Sequence, residues 1–169
     1  HRLDAGRCGL ALLDLSTGDF AVEALDGDDA LRDHLRRHSP SECLVGGGQR
    51  RDPALERLLR EAGVTAVTAI EDWTLDHDVA RQELLRHFGV HSLDGYGCEG
   101  QPELIGAAGA LLRHVRDELR RSVAHVRALQ VRRPGDCLLL DETTCANLDL
   151  VPLRGRPAGE TLLGVLDVT

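Results

Sequence analysis

Residues 8–15 (CGLALLDL) form an apolar run of strand length, and residues 19–25 (DFAVEAL) alternate apolar with polar as a half-buried strand does. Ser16, Thr17 and Gly18 stand between them as turn residues, so the opening segment predicts a β-hairpin. Asp28 or Asp29 is placed to cap a helix carrying Leu31 and Leu35, which ends near His38 ahead of Ser39 and Pro40. Residues 42–45 predict a short buried strand that closes on Gly46, Gly47 and Gly48. Asp52 and Pro53 start a second helix with Leu55, Leu58 and Leu59 on one face; Gly63 stops it, and the β-branched stretch 64–70 predicts another strand. A third helix is expected over residues 76–87, with Val79, Leu84, Leu85 and Phe88 as its packing positions. A glycine-rich loop follows over 90–100, then a long helix over 102–121 whose first half is small and apolar (LIGAAGALL).

Strands alternating with helices in this order predict an α/β fold, a mixed sheet flanked by helices. The pattern changes after Arg121. Short strands are expected at 126–131 and 137–140, a helix capped by Asp141 (DETTCANLDL), and a loop over 154–159. We therefore expect one domain over 1–121 and a second, partial and mostly helical segment over 122–169.

Composition narrows the chemistry. Aromatic residues are only 2% of the chain against 42% hydrophobic overall, so the core must be built from Leu, Val, Ala and Ile. All 20 basic side chains are Arg, which rules out a phosphate-binding loop ending in Gly-Lys-[Ser/Thr]. The absence of Met points to a piece of a longer chain. No run approaches the roughly 18 apolar residues of a membrane span. Cys8, Cys43, Cys98, Cys137 and Cys145 are scattered without a Cys-x-x-Cys pair, as expected of a reduced cytoplasmic protein. The net charge of −8 argues against a surface that grips DNA throughout. Its distribution is uneven: residues 1–112 carry 11 Arg against 20 acids, whereas residues 113–133 carry 7 Arg against 2. That basic stretch reads as a solvated helix face, or as a surface facing DNA or an acidic neighbouring domain.

Several constellations invite a chemical reading. Asp14 and Asp19, with Asp72, Asp76 and Asp78, could supply carboxylates for a two-metal nuclease, but 14–19 (DLSTGD) is equally a polar hairpin turn. His34 with His38, and His87 with His91, have metal-like spacing without further ligands nearby, and read as surface histidines. Gly46–Gly48, after a strand and before a helix, has a shape that can hold phosphate but lacks a dinucleotide fingerprint, and reads as a connecting loop. No Ser or Cys sits in a nucleophile-elbow setting. On the third helix Arg81, Gln82, Arg86 and His87 cannot all face the core, which makes this helix the best candidate for an interaction surface; Trp73 just upstream is expected to pack beneath it.

Ordered phrases along the chain resemble the bacterial MutS family of DNA mismatch-repair proteins. They are 13–20 (LDLSTGDF), 38–43 (HSPSEC), 88–97 (FGVHSLDGYG), 107–112 (AAGALL), 141–148 (DETTCANL) and 161–169 (TLLGVLDVT). The resemblance implies that 1–121 is a connector domain of RNase H-like α/β fold and that 122–169 opens the core, or lever, domain. It implies a fragment with no catalytic, metal or nucleic-acid site and no cofactor of its own, ATP and Mg belonging to the parent protein. Implied partners are MutL, the other domains of the parent MutS, and mismatched DNA through the parent. Arg81, Gln82, Glu83 and Arg86 are the residues expected to meet MutL, and the fragment itself is expected to be monomeric. An RNase H-like nuclease and a purely structural spacer are the alternatives.

Overall fold

The computed structural model describes residues 6–133. The strand, helix and loop expected over 137–159, and the last two resembling phrases, lie outside them.

The hairpin forms as its pattern predicts. β1 (Arg7–Leu13) and β2 (Phe20–Asp26) pair antiparallel in an unbroken register from Arg7↔Asp26 to Leu13↔Phe20. The turn between them is fixed by the Asp14 N–H, which donates to the Asp19 carbonyl at 2.9 Å, and by Gly18 in the left-handed region at φ 81°. α1 (Gly27–His38) starts two or three residues earlier than expected. Gly27, at φ 84°, turns the chain straight out of β2, so Asp28 and Asp29 fall inside the first turn instead of capping it, and Asp26 makes no side-chain cap. Their carboxylates still complement the positive end of the helix.

β3 (Cys43–Gly46) and β4 (Val67–Ile70) pair in parallel around α2 (Pro53–Glu61). The Asp52 carboxylate accepts from the Ala54 N–H at 2.9 Å, the cap expected ahead of a proline at the first helical position. A 3-10 turn, Asp72–Leu75, leads into α3 (His77–Phe88), whose N-terminus is capped by the Asp76 side chain and whose C-terminus ends at Gly89 in the left-handed region. α4 (Pro102–Asp117) is shorter than the expected 102–121, because the Leu119 N–H folds back to the His114 carbonyl and Arg120 adopts a positive φ of 49°.

After α4 the chain returns to the sheet. β5 (Gln130–Arg132) pairs in parallel with β2, and Val123, Val126 and Leu129 are buried in the same core as α3 and α4. Packing therefore does not stop at Arg121: the compact unit runs on to Arg133. The fold is mixed α/β, but its strands form two sheets instead of one, β1–β2–β5 and β3–β4. A cleft of about 650 Å³ lies between β1 and β3, lined by residues of both strands and by Leu35, Leu75 and Ala107.

Alternation along β2 divides the interior. Phe20, Val22 and Ala24 face α3 and α4, while Leu25, with Cys8 and Leu10 of β1, faces α1 and α2. Two close approaches seat α4. A Cβ on Gly9 would lie 2.1 Å from the Glu103 carbonyl oxygen, and one on Gly109 would lie 2.6 Å from the Ala80 Cα, so α4 rests directly on β1 and on α3.

Candidate functional site

The face built by α3 and α4 carries the candidate docking residues, and the structure sorts them. Gln82 is exposed, and the Arg86 side chain is 70% exposed. Arg81 is partly buried and committed elsewhere: its Nε donates to Glu99 Oε1 at 2.9 Å, while Glu99 Oε2 accepts from the Leu93 N–H at 2.9 Å. These contacts close the 90–100 loop against α3 and hold the Glu99 carboxyl below its usual range, Arg81 contributing most.

Glu83 is a correction. It is 3% exposed and unavailable to any partner. Both its oxygens receive the Arg116 guanidinium, in a twin contact that bridges α3 to α4, and Arg86 approaches at 3.5 Å. Arg116 also donates through Nε to Asp117 Oδ1 at 2.8 Å, and Asp117 with Glu83 raises its pKa further, so the guanidinium is permanently charged. A signal for this was present in the sequence. Glu83 stands three residues after Ala80 and beside Leu84, on the buried stripe of the helix.

Trp73 is a second correction. It does not pack beneath the helix; it is 51% exposed, with the Arg113 guanidinium carbon 4.5 Å above its ring. That stack joins an indole from the 3-10 turn to α4, 40 positions on in sequence, and Arg113 also pairs with Asp117 at 3.5 Å. A connected strip thus runs from Trp73 through Arg113, Asp117, Arg116 and Glu83 to Arg86. An exposed aromatic within a frame of arginines is the composition of an interface hot spot.

The carboxylates weighed as metal ligands are dispersed. Asp14 Oδ1 accepts from the Ser16 N–H at 2.7 Å, the Ser16 hydroxyl at 2.6 Å and the Thr17 N–H at 3.3 Å, and these bonds lower its pKa, the Ser16 hydroxyl first. It is a turn residue. Asp76 caps α3, and Asp78 lies in that helix's first turn beside His77. Asp72 answers the question raised by Gly46–Gly48. Its carboxylate accepts from the Gly48 N–H at 3.1 Å, and a Cβ on Gly46 would fall 2.6 Å from Asp72 Oδ1. The space that could have held a phosphate is filled by an anion of the chain itself. Among the described residues, no group of three or more His, Cys, Asp or Glu is placed to hold a metal ion.

Two of the four histidines differ from expectation as well, while His38 and His91 are exposed. His34 is buried, its Nδ1 3.3 Å from Glu23 Oε2 and its ring 4.5 Å from that of His38. Burial, followed by the charges of His38, Arg37 and Arg132, lowers its pKa to about 4. His87 donates from Nε2 to the Val126 carbonyl at 2.8 Å, pinning the segment after α4, while His91 is exposed. Cys8, Cys43 and Cys98 are free thiols, and burial pushes Cys43 up to about 11.

With this geometry in hand, the likeness to known proteins is specific. The family model described as MutS domain II matches residues 1–127. The chain is 38% identical over 165 residues to the DNA mismatch repair protein MutS of Symbiobacterium thermophilum, covering 95% of this chain and 19% of that protein. It is 40% identical over 168 residues to the MutS of Anaeromyxobacter dehalogenans, covering 99% and 19%, and 35% identical over 163 residues to that of Chlamydia pneumoniae, covering 95% and 20%. The chain thus spans about a fifth of the length of the curated relatives it matches.

Proposed function

This chain belongs to the MutS domain II family, and from that premise we propose that it serves a mismatch-repair ATPase as a non-catalytic connector, relaying conformational state and offering MutL a docking surface on α3. In this reading residues 1–121 are the connector and 122–169 open the core domain. The protein works in the cytoplasm, and mismatched DNA, ATP and Mg are handled by other parts of the parent. Among the described residues no helix is long and apolar enough to cross a membrane.

The observation that supports the docking role best is the division of labour along α3. Glu83 ties the helix to α4 through Arg116, which leaves Gln82 and Arg86 displayed on a helix that cannot rotate. Trp73, stacked under Arg113 on the same strip, supplies the aromatic anchor that an interface of this kind favours. The nuclease alternative would need carboxylates gathered around metal ions. Here Asp14 is spent on its turn, Asp72 on the glycine loop and Asp76 on a helix cap.

The test is a calorimetric titration of the chain with the N-terminal domain of MutL, monomeric state being checked by light scattering. Gln82→Ala with Arg86→Ala should weaken binding about tenfold or more while leaving the urea midpoint in place. Glu83→Ala should instead lower the midpoint. Unchanged binding by the double variant would move docking off α3, and no binding by the folded chain would leave the spacer reading.

A further inference from the structure

The segment that leaves α4 folds back over the C-terminal ends of α3 and α4 and is held there at several points. The Arg121 N–H donates to the Val115 carbonyl at 3.1 Å, the Val126 N–H to the Val123 carbonyl at 3.0 Å, and His87 Nε2 to the Val126 carbonyl at 2.8 Å. His125 reaches the Leu15 carbonyl at 3.0 Å and fills the space beside Gly18, where a Cβ would lie 2.9 Å from its ring. A groove of about 630 Å³ is left between this segment and the helix ends. Phe88 and Ala124 line it with apolar surface over the buried Val123 and Val126, and Arg116, Arg121 and Arg127 line it with guanidinium groups.

These arginines are not equivalent. Arg116 is neutralised by Glu83 and Asp117. The Arg121 and Arg127 side chains are exposed and, among the described residues, make no hydrogen bond or ion pair. The helix end beneath them does little to screen them, because its last carbonyls are already taken: His114 accepts from the Glu118 and Leu119 N–H groups, and Val115 from that of Arg121. The result is a groove with an apolar lining and two uncompensated positive charges, in a stretch, residues 113–133, that carries 7 Arg against 2 acids.

We infer that this groove is a docking site for an acidic protein segment, one apolar side chain seated against Phe88 and Ala124 with flanking carboxylates paired to Arg121 and Arg127. Charge complementarity selects a short acidic peptide over a nucleic acid. Two free guanidiniums release few counterions from a duplex, and the 20 acids against 11 Arg over residues 1–112 repel a long polyanion far more than a peptide with a few carboxylates. Rigid walls lower the ordering cost on the protein side, so the peptide bears most of it. Neither Gln82 nor Arg86 lines the groove, and the site stands whether or not α3 docks MutL.

The test is a titration of the full chain, labelled with nitrogen-15, with a nine-residue peptide of glycine and serine carrying one central leucine flanked by two aspartates on each side. Saturable amide shifts at Phe88, Val123 and Val126 are expected, weakening as salt is raised. Arg121→Gln with Arg127→Gln should weaken binding about tenfold, and so should replacing the aspartates by asparagines. Both arginine side chains lack partners among the described residues, so the double variant should unfold at the same urea concentration as the parent chain. Shifts that do not saturate, or that survive the double variant, would overturn the assignment. So would a twelve-nucleotide single strand that binds more tightly than the peptide through the same two arginines.

Discussion

Between α1 and α2 the contact is made by branched side chains, Leu31 and Leu35 against Leu55, Leu58 and Leu59. Between α3 and α4 there is in addition a point where side chain is nearly absent, with Gly109 set directly on Ala80. The first contact fills volume and is held by the apolar area it removes from water. The second brings two backbones together and leaves the polar layer above, Arg116 on Glu83, to set how the helices are turned. A volume-filling contact is damaged by making a residue smaller, and a close approach by making one larger. The close approach lies beside the surface that displays Gln82 and Arg86 on α3 and, from the 3-10 turn before it, Trp73 under Arg113 of α4.

The largest effect expected is on the leucine side. Leu58 is 2% exposed, and Leu58→Ala should cost about 2–5 kcal/mol by urea unfolding, through lost burial and the cavity left behind. If it cost no more than an exposed leucine, the volume-filling account of α1–α2 would be wrong. At the Gly109–Ala80 approach the damaging change is the opposite one, adding a methyl. Gly109→Ala should cost about 1–3 kcal/mol despite the better helix propensity of alanine, because a Cβ there meets backbone at 2.6 Å. A stabilised Gly109→Ala would show that the helices can part freely.

A smaller effect sharpens the comparison through pH. His34, on α1, has a folded pKa of about 4 against an ordinary value of 6.5, so between those limits the unfolded chain binds a proton that the folded chain refuses. Stability should therefore fall as pH drops from about 6.5 towards about 4, by on the order of 2 kcal/mol. His38, lowered by burial with the charges of Arg132 and Arg37, acts in the same direction. Glu23, raised by its burial against the pull of Arg132 and Arg37, acts in the opposite one and partly offsets the fall. His34→Leu should flatten the profile measured by urea unfolding across this window. A profile as steep as that of the parent chain would place the proton uptake elsewhere.

Local rules were sufficient for much of the fold. The Asp14–Asp19 turn, the Asp52 cap, the stop at Gly63 and the alternation in β2 all depend on neighbours within a few residues, and each formed where its pattern predicted. So did the α/β order of elements. The candidate site was only half legible. The helix is legible and Gln82 and Arg86 are on its surface, but Glu83, which enters through the family resemblance, lies on the buried Ala80–Leu84 stripe. Trp73 was expected inside because large aromatics usually are.

What the sequence by itself determined is therefore the set of elements, their order, their local caps and turns, and the family to which they belong. Tertiary structure alone decided that β1 and β3 stand apart, that Asp72 fills the glycine loop, that Trp73 lies outside under Arg113, and that the Arg121 and Arg127 side chains are left without partners among the described residues. The physical reason is distance along the chain. A cap or a turn is satisfied by groups two to four residues away, which a pattern displays. The carboxylate that reaches Gly48 comes from 24 residues on and the guanidinium that reaches Glu83 from 33, and only the packing of helices on the sheet brings them within bonding range.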